Sequence, residues 1–113
     1  GLHLERNEIG DAGAKAIAGS TNFSYVSFIN LWKNKVGSEG AKEIASSTIL
    51  VNLKSLDLAQ NSIGDEGAKA LAESDTLAGL ELLEIFGSGL TDEGKKQLKE
   101  STAFPKLQTL VVE

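Results

Sequence analysis

A unit of 27 residues recurs along this chain. Asparagine stands at Asn7, Asn34 and Asn61, and the next interval leads to Ser88. The stretch that begins at Asn7 returns almost unchanged at Asn61. Repetition at a fixed interval is typical of a solenoid, in which each unit buries its apolar face only against its neighbours. Such a fold offers one long surface instead of a pocket, so the surface is the first place to look for function.

Each unit has the pattern of a short strand followed by a helix. Leu56 and Leu58 alternate with more polar residues, a period of two that predicts a strand with one buried face. Ala68, Leu71 and Ala72 then recur at helical spacing. Consecutive strands joined in this way must be parallel, with right-handed crossovers. We expect strands centred near Leu4, Leu31, Leu58, Ile85 and Val112, and helices beginning near Ala12, Glu39, Glu66 and Glu93.

Positions that recur every 27 residues, which we call columns, also predict the core. The apolar positions of the third unit are Leu53, Leu56, Leu58, Ile63, Leu71 and Leu77. The second unit fills them with Val26, Ile29, Leu31, Val36, Ile44 and Leu50, and the fourth with Leu80, Leu83, Ile85, Leu90, Leu98 and Phe104.

The run Leu53-x-x-Leu56-x-Leu58-x-x-Asn61-x-Ile63 resembles the leucine-rich repeat. Its continuation, Gly64-Asp65-Glu66-Gly67-Ala68-Lys69-Ala70-Leu71-Ala72, is similar to the ribonuclease-inhibitor-like subtype that occurs in many bacterial repeat proteins. The resemblance implies an α/β fold, a right-handed horseshoe-shaped solenoid with a concave parallel β-sheet and convex α-helices. It also implies protein binding as the usual activity.

The resemblance covers nearly the whole chain. Residues 1–113 divide into about four 27-residue repeats and a final strand at 107–112, which we interpret as a single domain. The chain opens within a motif and contains no methionine. We therefore expect it to be part of a longer array, interrupted at Gly1 and close to a natural end at its C-terminus.

Two departures from the pattern predict local differences. Ser88 replaces the recurring asparagine, and a single hydroxyl forms fewer bonds than an amide, so the fourth turn should be looser or differently bonded. Lys95 and Lys99 replace the alanines at positions 68 and 72. Lysine at these positions suggests a helix with no further helix packed beside it, as in a polar terminal repeat.

Composition excludes several classes of function. The net charge of −5 disfavours binding to nucleic acid or to an anionic membrane, and no apolar stretch is long enough to span a bilayer. The absence of cysteine excludes thiol chemistry and fits a reducing, cytoplasmic compartment. His3 is the only histidine, and Gly87-Ser88-Gly89 lacks the third glycine of a dinucleotide-binding motif because position 92 is Asp92. We therefore expect no catalytic, cofactor-binding or metal-binding residues.

Aspartate recurs where each helix should begin. A row formed by Asp11, Asp65 and Asp92 has the composition of a metal site, but carboxylates at the start of a helix more often cap it. We expect these residues to cap their own helices.

The outward positions of the strands do not repeat, and they predict the functional surface. Phe28 and Leu82 flank Ser55, and Trp32 and Phe86 stand roughly 10 Å apart across Ala59 at the usual strand spacing. No packing requirement explains aromatic residues at these positions, and clustered exposed aromatics mark binding surfaces. The alternative is that Trp32 folds over its own loop or pairs with Phe28. The predicted protein-binding residues are Phe28, Asn30, Trp32, Asp57, Leu82, Glu84 and Phe86.

Asp57 and Glu84 share one column on neighbouring strands. Paired carboxylates suit acid–base chemistry or a cation, but an open sheet does not exclude water and no nucleophile stands nearby in the pattern. We interpret them as residues that select a basic group on a partner, because charge complementarity governs specificity.

These observations lead to a non-enzymatic module that binds another protein through its concave sheet. The alternative is a structural spacer, or a repeat fragment that self-associates as a homo-oligomer through exposed edge strands at Leu2 and Val112.

Overall fold

The computed structural model describes all residues from 1 to 113 and contains one open sheet of five parallel strands in the order of the sequence. The strands are β1 (Leu2–His3), β2 (Phe28–Asn30), β3 (Ser55–Asp57), β4 (Leu82–Glu84) and β5 (Thr109–Val111). The helices are α1 (Gly10–Gly19), α2 (Ser38–Ala45), α3 (Gly64–Ala72) and α4 (Asp92–Lys99), and a short 3₁₀ turn spans Thr21–Phe23. The predicted α/β repeat architecture and strand order are confirmed.

The predicted strand centres were wrong by about two residues. Pairing begins and ends earlier, so that Ile29, Leu56 and Leu83 lie at the centres of their strands. The reason lies in the last residues of β2 and β3. The side chains of Asn30 and Asp57 accept hydrogen bonds from the backbone two residues ahead, which turns the chain at the points where extended strands were expected. The helices begin within two residues of the expected positions.

The core lies between the sheet and the layer of helices. All the apolar column residues predicted from the second to the fourth unit are buried, except Val26 and Leu90, which are partly buried against the core. Each helix packs on the next along the chain. Packed helices need about 8–10 Å between axes whereas strands need about 4.8 Å. The helix layer therefore needs more room per repeat than the sheet does.

Glycine permits this close helix packing. A Cβ atom on Gly40 would lie 3.1 Å from the Cβ of Ala14, and one on Gly67 would lie 3.1 Å from the Cβ of Ala41. Gly13 occupies the same repeat position in α1. No earlier helix packs against it, and an added Cβ there would meet only Ile9. Alanine and glycine thus meet between α1 and α2 and between α2 and α3, whereas a Cβ on Gly94 would meet Asp65 of α3.

Two of the recurring asparagines, Asn34 and Asn61, bind the backbone of the preceding turn. Asn61 is buried, and its Oδ1 accepts hydrogen bonds from the amides of Asn34 and Val36, each at 2.9 Å. Its Nδ2 donates to the carbonyls of Leu31 and Leu58 at 2.9 and 3.0 Å, and to one further carbonyl in its own turn. Asn34 is likewise buried and bonded on both sides.

The fourth turn is differently bonded, which confirms the expectation for Ser88. Its Oγ accepts from the Asn61 amide at 3.1 Å and donates to the Leu58 carbonyl at 2.7 Å. The Ile63 amide does not donate to this hydroxyl, although the Val36 amide at the equivalent position donates to Oδ1 of Asn61. Ser88 therefore forms two of the bonds that an asparagine forms at this position of the repeat.

The expected role of the aspartates was wrong. None of the helices receives a side-chain cap from its own N-cap residue. Instead the Oδ1 of Asp11 accepts from the amides of Gly37 and Gly40, at the start of the following helix. Asp65 does the same for the amide and hydroxyl of Thr91. These carboxylates cap the next repeat, because parallel helices place one N-terminus directly beside the last.

A serine ladder, which the sequence reading missed, lies at the opposite ends of the helices. Ser47, Ser74 and Ser101 are again 27 residues apart. Each Oγ donates to a carbonyl near the end of the helix in the preceding repeat. The three acceptors are the carbonyls of Ala18, Ala45 and Ala72. The hydroxyl also accepts from the backbone just after it. Regular spacing was the signal that would have revealed this ladder.

Replacing Asn61 with alanine should lower the free energy of unfolding by about 1–3 kcal/mol, because buried backbone groups lose their partners. Urea denaturation monitored by circular dichroism measures this change. Asn7 is the matched control, since its exposed Nδ2 reaches only the Glu5 carbonyl and Asn7→Ala should have little effect. Equal denaturation midpoints for Asn61→Ala and the unaltered chain would contradict the assignment.

Candidate functional site

The side chains of the sheet that point away from the helices form what we call the open face. Strand register places Phe28, Ser55 and Leu82 side by side in one row. A second row contains Asn30, Asp57 and Glu84, followed by Val111 on β5. The residues between these positions point inward and are buried. Five of the predicted binding residues therefore share one face of three adjacent strands.

Trp32 and Phe86 extend this face beyond the ends of β2 and β4. Both lie outside the apolar core, so neither is packed between sheet and helices. They are partly buried, however, and the expectation that they would be largely exposed was wrong. The Arg6 guanidinium lies 4.8 Å from the centroid of the Trp32 ring and the Lys33 ammonium lies 5.8 Å from it. These two cations cover part of the indole.

Two residues near the aromatic side chains are less exposed than their positions in the pattern suggest. Ala59, between Trp32 and Phe86 along the sheet, is fully buried although it points outward in the pattern. Its methyl group is short, and larger residues on both flanking strands shield it from solvent. Asp57 is likewise partly buried, where an exposed position was expected. The face between the aromatic residues therefore exposes less of Ala59 and Asp57 than the sequence suggested.

Phe28 is covered on the side of β1. The His3 ring lies 4.9 Å from the Phe28 ring, at an interplanar angle of 50°. The backbone of Gly1 is so close that an added Cβ would lie 2.8 Å from Cδ2 of Phe28. Phe28 therefore pairs with β1, and the proposed alternative pairing of Trp32 with Phe28 is not the arrangement formed.

Asp57 and Glu84 stand directly opposite each other on neighbouring strands. Loss of water raises the pKa of Glu84, and the charge and hydrogen bond of Asp57 raise it further. Loss of water and the nearby charge of Glu5 raise the pKa of Asp57, although bonds from the Ala59 amide and with Glu84 oppose this effect. The two carboxyls therefore hold a proton more tightly than isolated carboxyls do.

The two acids differ in their structural role. Oδ1 of Asp57 accepts from the Ala59 amide at 2.9 Å, as Oδ1 of Asn30 accepts from Trp32 at 3.0 Å. This local turn explains a short polar side chain at both positions. Glu84 forms no such turn with Phe86. Nothing in the fold requires a carboxylate at position 84.

Several residues around this face escaped the sequence reading. Arg6, Lys33 and Gln60 occupy one 27-residue column with Gly87, and all four have φ between 58° and 64°. Glycine normally occupies this left-handed region, so the column marks a tight turn at the same point of each repeat. Glu5, at the end of β1, influences Asp57 electrostatically. The regular spacing would have revealed the column, but the closeness of Glu5 depends on side-chain conformation.

The rest of the surface offers weaker candidates. A depression of about 440 Å³ lies between α2 and α3 and is lined mostly by polar and charged side chains such as Lys42, Glu73 and Asp75. It is an open groove on the helical side, far from the aromatic residues. No group of three or more potential ligands is arranged to hold a metal ion. None of the helices has the length and apolar character of a membrane span.

Comparison with known families agrees with this architecture. Residues 2–18 and 50–72 match the family model described as Leucine Rich repeat. The first match covers β1 and most of α1, and the second covers β3 and α3. No curated protein matches the chain.

Changing Glu84 to Gln should raise the free energy of unfolding at neutral pH by a few tenths to about 1 kcal/mol, because it removes a like-charged cross-strand neighbour. The raised pKa of Glu84 means that the folded state binds a proton more readily than the unfolded state. The carboxylate therefore destabilises the fold as the pH rises through that pKa. The difference between Glu84→Gln and the unaltered chain should shrink on acidification.

Urea denaturation at a series of pH values measures this dependence. Glu81, which lies just before β4 and forms no ion pair, is the matched control. Its amide variant should show no comparable gain. A Glu84→Gln chain that is less stable than the unaltered one at neutral pH would contradict the cost assigned to the pair.

Proposed function

Because the chain is a leucine-rich-repeat protein, we propose that it is a recognition module that binds another protein through the open face of the sheet. Leucine-rich repeats generally mediate protein–protein interaction. Phe28, Trp32, Leu82 and Phe86 provide the apolar contacts. The polar row of Asn30, Asp57 and Glu84 selects the partner.

The observation that supports this proposal most is the pairing of Asp57 with Glu84. Like charges opposite each other in a sheet destabilise it, and the pKa of Glu84 is raised by loss of water and by the charge and hydrogen bond of Asp57. Glu84 has no structural bond that would compensate. Residues that weaken a fold without a local benefit are typical of functional sites. A basic group on a partner would turn this repulsion into attraction.

The aromatic residues support the same surface. The core columns account for the packing of each repeat, and Trp32 and Phe86 lie outside that core. Tryptophan is enriched among residues that dominate binding energy, especially where surrounding groups exclude water. Trp32 is partly covered already, so a partner needs to displace little water to bury it completely. The proposed surface thus combines apolar anchors with charge selection.

This proposal has a direct test in peptide selection. Peptides selected from a random display library against the unaltered chain should bind Trp32→Ala about 30-fold more weakly, because loss of a central aromatic anchor costs about 2 kcal/mol or more. Isothermal titration calorimetry with the selected peptides measures the affinity. Circular dichroism establishes that the variant remains folded.

Lys69 provides the matched control, because it is exposed on α3, on the opposite side of the molecule. Lys69→Ala should leave both affinity and stability unchanged. Peptides that bind Trp32→Ala as tightly as the unaltered chain would contradict the open face as the binding surface.

Self-association through a sheet edge is the second candidate, favoured by the unpaired edges of β1 and β5. Leu2 and Leu4 are only partly buried at the β1 end. At the other end, Lys95 and Lys99 stand where α3 carries alanine, and both approach Glu113 at 3.9 Å. Lysines there oppose the packing of another helix. Contact between the β1 ends of two copies is therefore the more favourable arrangement.

If this association occurs, light scattering should show a rising fraction of dimer across a concentration series. Leu2→Lys should abolish it, because a charge at the edge opposes strand pairing and apolar burial. A strictly monomeric chain at all concentrations would exclude self-association as the function.

A further inference from the structure

We infer that Arg6, Trp32 and Lys33, which together we call the turn edge, bind a carboxylate in an acidic segment of the partner. This inference rests on the proposed function and adds the chemistry of the partner beside the open face. It follows from the contacts of the two cations, from the backbone that carries them and from the charges around them.

Two cations from neighbouring repeats meet at one indole ring. The Arg6 guanidinium lies 4.8 Å from the centroid of the Trp32 ring, and the Lys33 ammonium lies 5.8 Å from it. The face of a ring attracts a cation but offers no lone pair to an N–H donor. The five donors of the guanidinium group therefore remain available to an acceptor outside the chain.

Neither cation is neutralised within the chain. Arg6 and Lys33 are exposed, and neither forms an ion pair. Acidic residues nevertheless outnumber lysine and arginine by 16 to 11. Lys35, on the same side of the repeat, shows the contrast, because it pairs with Glu8 at 2.8 Å. Two unpaired positive charges held close together attract an anion.

The backbone at both positions favours other residue types. Arg6 and Lys33 each have a φ of 58°, in the left-handed region that glycine and asparagine adopt more readily. Gly87 fills the same column in the fourth repeat, so the fold accepts glycine there. Long cationic side chains on such a backbone give the fold only their contact with the ring. Residues held in a sparsely populated conformation of this kind cluster at ligand-binding positions.

Backbone hydrogen bonds fix the two turns relative to each other. The Arg6 amide donates to the Trp32 carbonyl at 2.9 Å, and the Lys33 amide donates to the Ala59 carbonyl at 3.0 Å. The two cationic side chains therefore start from fixed points on adjacent repeats. Because little of the backbone has to become ordered on binding, the entropy lost with an anionic partner is small.

A carboxylate suits the turn edge better than a phosphate group. Glu5 and Glu8 flank Arg6 in the sequence and bring negative charge close to it. A phosphate group carries more negative charge at neutral pH than a carboxylate, so these residues repel it more strongly. Asp57 and Glu84 likewise repel an acidic segment that follows the strands. The acidic segment therefore lies over the turns at the edge of the sheet.

Fluorescence of the full chain tests this inference directly, because Trp32 is the only tryptophan. The probe is a hexaglutamate peptide with an acetylated N-terminus and an amidated C-terminus, titrated at low ionic strength. It should change the Trp32 emission saturably, and added salt should weaken its binding because exposed charges are screened. A hexaserine peptide with the same ends should give no saturable change. Inorganic phosphate should bind at least about tenfold more weakly than hexaglutamate.

Arg6→Gln and Lys33→Gln should each weaken hexaglutamate binding about fivefold, because each removes a charge-assisted contact. Glutamine fits this backbone, since Gln60 occupies the same column with a φ of 60°. Lys69→Gln is the matched control, because it removes the same charge from the opposite side of the molecule and should leave the affinity unchanged.

Lys33→Gly separates binding from stability. It should weaken hexaglutamate binding as much as Lys33→Gln does without lowering the urea midpoint of unfolding, since glycine adopts the left-handed backbone freely. A side chain that served only the fold would lower that midpoint when removed.

Three results would overturn the inference: no saturable change with hexaglutamate, equal affinities of Lys33→Gln and Lys69→Gln for it, or phosphate binding as tight as hexaglutamate binding. If any of these is found while the library-selected peptides still require Trp32, the proposed function stands and only the acidic segment is wrong. Selected peptides that are indifferent to Trp32 would overturn the proposed function whatever hexaglutamate does.

Discussion

A buried side-chain amide between successive turns is the interaction on which the rest of this structure depends. Each repeat has backbone groups that its own short strand and helix cannot satisfy, and burial makes them costly when unpaired. Asn34 and Asn61 satisfy them in the neighbouring repeat as well as in their own. The serine hydroxyls at one end of the helices and the aspartates at the other add further bonds between neighbours. No repeat is complete alone, so stability arises between units more than within them.

Because the core and the polar ladders stabilise the fold, packing does not determine which residues occupy the open face. Leucines hold the sheet to the helices, and the polar ladders hold turn to turn, so outward strand positions contribute little to either. The chain places Trp32, Phe86 and two opposed carboxylates there. Glu84 is the clearest case, because the charge of Asp57 and the loss of water raise the pKa of its carboxyl and no backbone bond requires a carboxylate there.

Periodic features could be predicted from the sequence, and features set by side-chain conformation could not. The strand order, the core columns and the amide ladder all follow from a 27-residue interval that fixes which residues become neighbours. The same interval could not tell that Asp11 reaches the next helix and not its own, because both N-termini lie within reach of one short side chain. The partial burial of Trp32 depends on where Arg6 folds. The residues that form the open face could be predicted, whereas the exposure of each side chain depends on how its neighbours fold over it.

The aspartate caps also define a larger unit than the repeat itself. Asp11 and Asp65 cap the helix that follows, but the intervening position is Ser38, which makes no such bond. Gly10 and Gly64 adopt left-handed backbone, with φ of 67° and 69°, while Gly37 is extended. In both observed pairs the first repeat gives a cap and the second receives it. The smallest segment that contains a complete cap is therefore a pair of repeats, and a chain divided within a pair would lose the bond between Asp11 and Gly37 or the bond between Asp65 and Thr91.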